Sequence, residues 1–158
     1  MLGFLWQAGY ENGAYSTPLF TDVVPQLQKW QASSLDLAIY SSGSVFAQKL
    51  LFGHVKDRQN NEAKATLDLQ DLIKHWFDTT NAGPKLESSS YARIAAVIER
   101  QIEQVLFLSD NVHEVQAALD AGMKAIVVDR PGNADLSNDD RRSHLVVGSL
   151  EEIRLRDD

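Results

Sequence analysis

Apolar positions in the first part of the chain recur at helical spacing, with Phe20, Val23, Val24 and Leu27 following breaks at Gly9, Gly13 and Pro18. This spacing predicts two helices within residues 1–33. The pattern then changes. "LDLAIYS", residues 35–41, is a short apolar run with a strand period, and Val45 to Leu51 returns to helical spacing. "GHVKDRQNNEAKATLDLQD" is polar for most of its length and predicts a surface loop leading into a short helix around Leu69 to Ile73. "HWFDTT" is a further short strand. In "GPKLESSSYARIAAVIERQ" a loop precedes a helix, with Ser88 or Ser89 as its cap and Tyr91, Ile94, Ala95 and Ile98 on one face.

"VLFLSD" is a continuous apolar run ending in an acid, the pattern of a parallel strand covered on both faces. After it come a helix closed by Gly122, a buried strand at Ala125 to Val128 and a turn at Pro131 and Gly132. "HLVVGSLEEIRL" adds a short strand and a last helical turn. Strands and helices in steady alternation predict an α/β domain with a mostly parallel sheet. Ligands of such sheets sit beyond the carboxyl ends of the strands.

Composition narrows the function classes. A chain of 158 residues with 44% hydrophobic and 23% charged positions has enough apolar material for one folded domain. The net charge of −7 argues against nucleic acid as the main partner, although a local pocket for a small anion remains compatible with it. With no cysteine, disulfides, thiolate metal sites and cysteine nucleophiles are excluded, and an intracellular setting is expected. No apolar run approaches bilayer length, and "MLGFLWQAGYENG" lacks the basic start and small-residue cleavage site of a secretory signal.

Two strand ends carry candidate chemistry. The first strand ends in Ser41 and Ser42, followed by Gly43 and a helix start at Ser44. Hydroxyls, exposed amides and a positive helix end suit a phosphoryl group, while simple serine capping of the helix is the commoner use of such residues. "VLFLSD" ends in Asp110, with Asn111 next and Glu114 four positions on. Two carboxylates so placed can hold a hard cation such as Mg²⁺, and an Asp there can equally cap the helix. Lys85, in "AGPKLE", lies in a loop before a helix, where an ammonium can serve a phosphate as a point charge. His54, His75, His113 and His144 lack metal-ligand spacing, and only His113 is near a candidate site. Trp6, Trp30 and Trp76 read as packing anchors.

Hydroxyls after one strand, a lysine before a later helix and an acid after the next strand follow the order of the second, third and fourth motifs of haloacid-dehalogenase-like phosphatases. "WQAGYENG", "IYSSGSVFAQKLLFGHV", "FDTTNAGPKLESSSY", "VLFLSDNVHE" and "RPGNA", spread from Trp6 to Ala134, resemble the enolase-phosphatase family of methionine salvage. The resemblance implies a Rossmann-like three-layer α/β/α core with a mostly parallel sheet, with residues 1–33 as the end of a helical cap and return to the core, and residues 34–158 as the core itself. It implies an Mg²⁺-dependent phosphoric monoester hydrolase that enolises and dephosphorylates 2,3-diketo-5-methylthiopentyl 1-phosphate to an acireductone. Ser41 and Ser42 would then hold phosphoryl or neighbouring substrate oxygens, Lys85 would neutralise charge on the transferring group, and Asp110 would ligate Mg²⁺. Glu114 is left open as a direct or water-mediated ligand. The expected partner is a small phosphorylated diketone, with neither nucleic acid nor membrane, in a cytoplasmic monomer for which a nuclear location is left open.

The family's Asp-x-Glu-Gly-Thr motif, which supplies the nucleophile and its acid/base partner, occurs nowhere in these 158 residues. The resemblance therefore implies an N-terminally truncated member lacking the nucleophile strand and most of the cap. The alternative is an inactive remnant that binds phosphate and Mg²⁺ without turnover. A flavodoxin-like or receiver-like module is disfavoured, because receivers gather acids at the end of their first strand and none is found there. Loss of the central strand also predicts exposed sheet edges beside apolar side chains.

Overall fold

The computed structural model describes residues 7–10, 13–58, 60 and 65–155. It forms two packed units that divide between Asp78 and Thr79. Trp6 lies outside the described residues.

In the first unit, residues 7–10 are helical. Helix α1, Val23–Ala32, buries Gln26 and Trp30 on one face. Phe20 precedes this helix and is exposed, its carbonyl accepting from Val23 N–H, so the apolar spacing that included it began one turn too early. Strand β1, Ala38–Ser41, is shorter than the expected residues 35–41. The ladder begins only where the Leu37 carbonyl meets the Lys74 and His75 amides. Helix α2 follows at Val45–Phe52.

The polar segment after α2 is more than a loop. Val55–Lys56, β2, pairs antiparallel with Thr66–Leu67, β3, and Val55 is fully buried. One apolar side chain in a two-residue strand gives almost no periodic signal, which explains why sequence reasoning missed it. The helix expected around Leu69 to Ile73 is a single 3₁₀ turn at Gln70–Leu72. Strand β4, His75–Asp78, then pairs parallel with β1 in a register that sets Ser41 opposite Asp78. Leu69, Ile73 and Phe77 join Trp30 and Val55 among the buried side chains. Trp76 packs edge-on against Phe52, a packing role as expected.

The second unit contains α3, Ser88–Val97, then β5, Leu106–Ser109, α4, Val112–Ala121, β6, Lys124–Val128, α5, Asn138–Ser143, and β7, Val146–Val147. Its three strands lie in the order β5-β6-β7, all parallel. Tyr91, Ile94 and Ala95 of α3 and Val115 and Ala118 of α4 are buried, as is Val127 of β6. Gly122 closes α4 with φ of 100°, a left-handed geometry that favours glycine. The residues of β5 are half-buried rather than covered on both faces.

Two local features differ from expectation. Neither Ser88 nor Ser89 caps α3: the N-cap is Glu87, which makes no side-chain capping bond, and the serine that engages the turn is the buried Ser90. Helix α5 was absent from the sequence reading altogether. It has no buried residue to create an apolar stripe, and its formation rests on a capping box between Ser137 and Asp140.

Pairing is mostly parallel and strands alternate with helices, so the α/β class is the observed one. Among the described residues β1 has one ladder partner, β4, and β5 has one, β6. No described helix is long and apolar enough to cross a membrane.

Candidate functional site

Parallel strands bring their carboxyl ends to one edge, and within each unit that edge carries the candidate chemistry. In the first unit β1 delivers Ser41 and the chain turns through Ser42 and Gly43 into α2. The Ser41 hydroxyl accepts from Gly43 N–H at 3.1 Å, which closes the turn. Ser44 is the N-cap of α2, its hydroxyl accepting from Ala47 N–H at 3.2 Å. Capping thus falls on Ser44, while Ser42 is exposed with its hydroxyl free of a partner among the described residues.

Two residues that sequence reasoning did not single out shape this turn. Asp78, at the end of β4, accepts from Val45 N–H at 3.0 Å and so engages one of the first amides of α2. Its negative charge complements the positive helix end. The amides of Ser42 and Phe46 have no partner among the described residues. Gln48, 5% exposed, reaches back from α2 with its amide nitrogen donating to Gly43 O at 2.7 Å and Phe77 O at 2.8 Å. It joins the turn to β4. A glutamine one turn into an apolar helix, where a core residue would be expected, was the available signal for it.

In the second unit β5 delivers Ser109 and Asp110 to the start of α4. Asn111, rather than Asp110, caps that helix, its side-chain oxygen accepting from His113 N–H at 2.9 Å. Asp110 is thereby released from the capping role and is exposed. One of its oxygens accepts from Asn133 Nδ2 at 2.9 Å, and the other has no partner among the described residues. The orientation of Asn133 is fixed from its far side, where its oxygen accepts from Arg130 N–H at 2.7 Å. Asn133 lies in the quoted "RPGNA" segment, but its action on Asp110 was not foreseen.

Lys85 and Glu114 form an ion pair, with side chains 19% and 13% exposed. The same Glu114 oxygen accepts from the Ser109 hydroxyl at 2.8 Å. Glu114 is therefore the partner of the lysine, a contact the sequence left open as a metal contact. His113 lines a surface groove with Leu86, Gln116, Ala117 and Asp120. The structure thus groups Lys85, Glu114, Ser109, Asp110 and Asn133 around the end of β5.

A family-type Mg²⁺ site can be tested against these donors. Among the described residues no group of three His, Asp or Glu side chains is arranged to hold a metal. Mg²⁺ bound beside a phosphate needs fewer protein ligands, because it keeps several waters and takes oxygens from the phosphate. Asp110, exposed, with one oxygen pinned and one open, fits as a carboxylate ligand of that kind. Glu114, engaged by an ammonium and a hydroxyl, does not.

No protein-family model matches the chain. Its sequence is 53% identical over 153 residues to enolase-phosphatase E1 of Sordaria macrospora, covering 96% of this chain and 62% of the relative. The Neurospora crassa protein of the same name is 52% identical and the Yarrowia lipolytica one 42%, each covered over 62% of its length. The chain thus spans about 62% of the length of the curated relatives it matches. Among solved structures, the UTR4 protein of Saccharomyces cerevisiae superposes with a TM-score of 0.87 at 38% identity, covering 96% of this chain and 64% of that one. The L-2-haloacid dehalogenase RSc1362, at 20% identity and a TM-score of 0.61, shares the fold.

Proposed function

The chain is homologous to enolase-phosphatases over nearly its whole length and carries the haloacid-dehalogenase-like fold, and on this premise we propose that it forms the core portion of such an enzyme. In this reading it is a phosphoric monoester hydrolase of methionine salvage, acting on 2,3-diketo-5-methylthiopentyl 1-phosphate. The observation that carries the reading is the arrangement at the end of β5, where Lys85 is paired with Glu114 and Asp110 keeps one carboxylate oxygen open.

Each side chain has a distinct task in the proposal. The hydroxyls of Ser41 and Ser42 take phosphoryl or adjacent substrate oxygens, supported by the open amides of Ser42 and Phe46. Ser42 is the more available of the two, since the Ser41 hydroxyl already accepts from Gly43. Lys85 brings a positive charge to the transferring group, held ready by Glu114. Asp110 would hold Mg²⁺, which supplies charge neutralisation at the phosphate when bound. Phosphoryl transfer depends mostly on positioning and electrostatic stabilisation, the contributions these residues are suited to make.

Residues 1–33 would be the end of a cap and residues 34–158 the core, in a cytoplasmic monomer, and cell fractionation tests for cytoplasmic against nuclear location. The Asp-x-Glu-Gly-Thr motif is not among the 158 residues. The covalent phospho-enzyme therefore has no nucleophile of that type here.

A phosphate-release assay with the diketo phosphate and Mg²⁺ tests the proposal. The 158 residues alone are expected to release no phosphate above background. Joined to the segment of a relative that carries the motif, they are expected to turn over, with activity falling by about a hundredfold or more in Lys85→Ala and Asp110→Ala. Release that survives Asp110→Ala would overturn the site assignment. Absence of turnover in the joined protein would favour the inactive remnant.

A further inference from the structure

The loop that carries Lys85 is held by the helix that follows it. Three of its carbonyls accept from side chains of α3: Ala82 O from Arg93 Nη1 at 2.9 Å, Pro84 O from the Ser90 hydroxyl at 2.7 Å, and Lys85 O from the Tyr91 hydroxyl at 2.7 Å. Ser90 and Tyr91 are 1% and 0% exposed. Such buried hydroxyls are costly to leave unpaired, so their bonds to the loop are strongly favoured. Gly83 makes the approach possible, because a Cβ there would lie 2.6 Å from the Ser90 oxygen and the residue has φ of 112°.

Tyr91 is also fixed at its other end. Its ring meets Phe107 of β5 edge-on, with centroids 4.9 Å apart. Phe107 lies two residues before Ser109, whose hydroxyl contacts the Glu114 carboxylate paired with Lys85. The backbone of Lys85 is therefore tied through Tyr91 to the strand whose end carries the lysine's own partner.

We propose that Tyr91, assisted by Ser90, is a positioning residue that sets the Lys85 ammonium against Glu114. This rests on the functional reading above for the use of Lys85, but not for the latch itself. A long, flexible lysine on a free loop would sample many rotamers, whereas a fixed backbone origin restricts the ammonium to a small region. The hydroxyl of Tyr91 is the part that acts on the loop, and the ring is the part that packs.

Competitive acetylation of the full chain, read lysine by lysine by mass spectrometry, tests the latch with Tyr91→Phe and Ser90→Ala. Each removes one hydroxyl, and Ser90→Ala leaves the Tyr91 ring in place. Lys85 is expected to react roughly fivefold faster in Tyr91→Phe, the factor associated with one net hydrogen bond, and also faster in Ser90→Ala, while Lys124 is unchanged. No rise at Lys85 in either variant overturns the proposal. Equal rises at all lysines in both variants also overturn it, because they indicate general loosening. Binding of inorganic phosphate, followed by ³¹P NMR on the same samples, separates the two claims. Selective acceleration with unchanged phosphate binding keeps the latch and removes Lys85 from the phosphate seat.

Discussion

At the scale of single residues, Gln48 shows how one buried polar side chain can organise a turn. Its amide nitrogen serves two carbonyls, Gly43 O and Phe77 O, while its buried side-chain oxygen has no partner among the described residues. Leucine has similar bulk but no donor, so Gln48→Leu would take a donor from both carbonyls and leave Gly43 O without its side-chain partner. A buried acceptor left without its donor costs about 1–3 kcal/mol, partly offset here by removal of the unpaired oxygen. The expected result is a loss of roughly 2 kcal/mol in urea unfolding, with the m-value unchanged. An unchanged midpoint would mean that water satisfies the turn without the glutamine.

At the scale of elements, helix α5 depends on its cap more than on packing. Asp140 accepts from both the hydroxyl and the amide of Ser137, and these two bonds hold its carboxyl below the usual carboxylate value. A lowered folded-state pKa contributes stability above the unfolded value, and that contribution is lost as pH falls through the lowered one. The α5 amides should therefore lose protection below about pH 4, ahead of the α4 amides. Hydrogen exchange monitored by NMR across that range would show it, and simultaneous loss in both helices would contradict it.

The legibility of these elements follows the same physics. Helices with a buried stripe or a glycine stop, such as α1 and α4, were readable, as were the ends of β1 and β5, where apolar runs give way to hydroxyls and an acid. Helix α5 was not, because a polar six-residue helix has no periodic signal beyond its cap. The β2-β3 ladder was hidden by its two-residue strands. In the candidate site, Ser41, Ser42, Lys85 and Asp110 could be selected from strand ends and motif order. Of their supports, Gln48, Asp78 and Asn133 act through contacts 29, 33 and 23 positions away, and the Tyr91 hydroxyl through a bond to a carbonyl six residues back; one sequence reveals neither kind. Glu114 was visible as a residue, but its pairing with Lys85 was not.

At the scale of the molecule, both units have parallel pairing whose carboxyl ends carry the proposed ligand groups. Among the described residues β1 and β4 each have a single ladder partner, as do β5 and β7 at the two edges of their sheet. An open parallel edge can pair with a further strand, and it also promotes self-association. The central claim is chemical: Lys85 and Asp110, gathered around the end of β5 within one unit, serve the same anion and its cation. Titration of ¹⁵N-labelled protein with inorganic phosphate and Mg²⁺, followed by NMR, measures this most directly. The account predicts that the Lys85 and Asp110 signals shift with one common midpoint, and that Asp110→Ala removes the Mg²⁺ dependence. A shift of one residue without the other, or a Mg²⁺ dependence unaffected by Asp110→Ala, would contradict it.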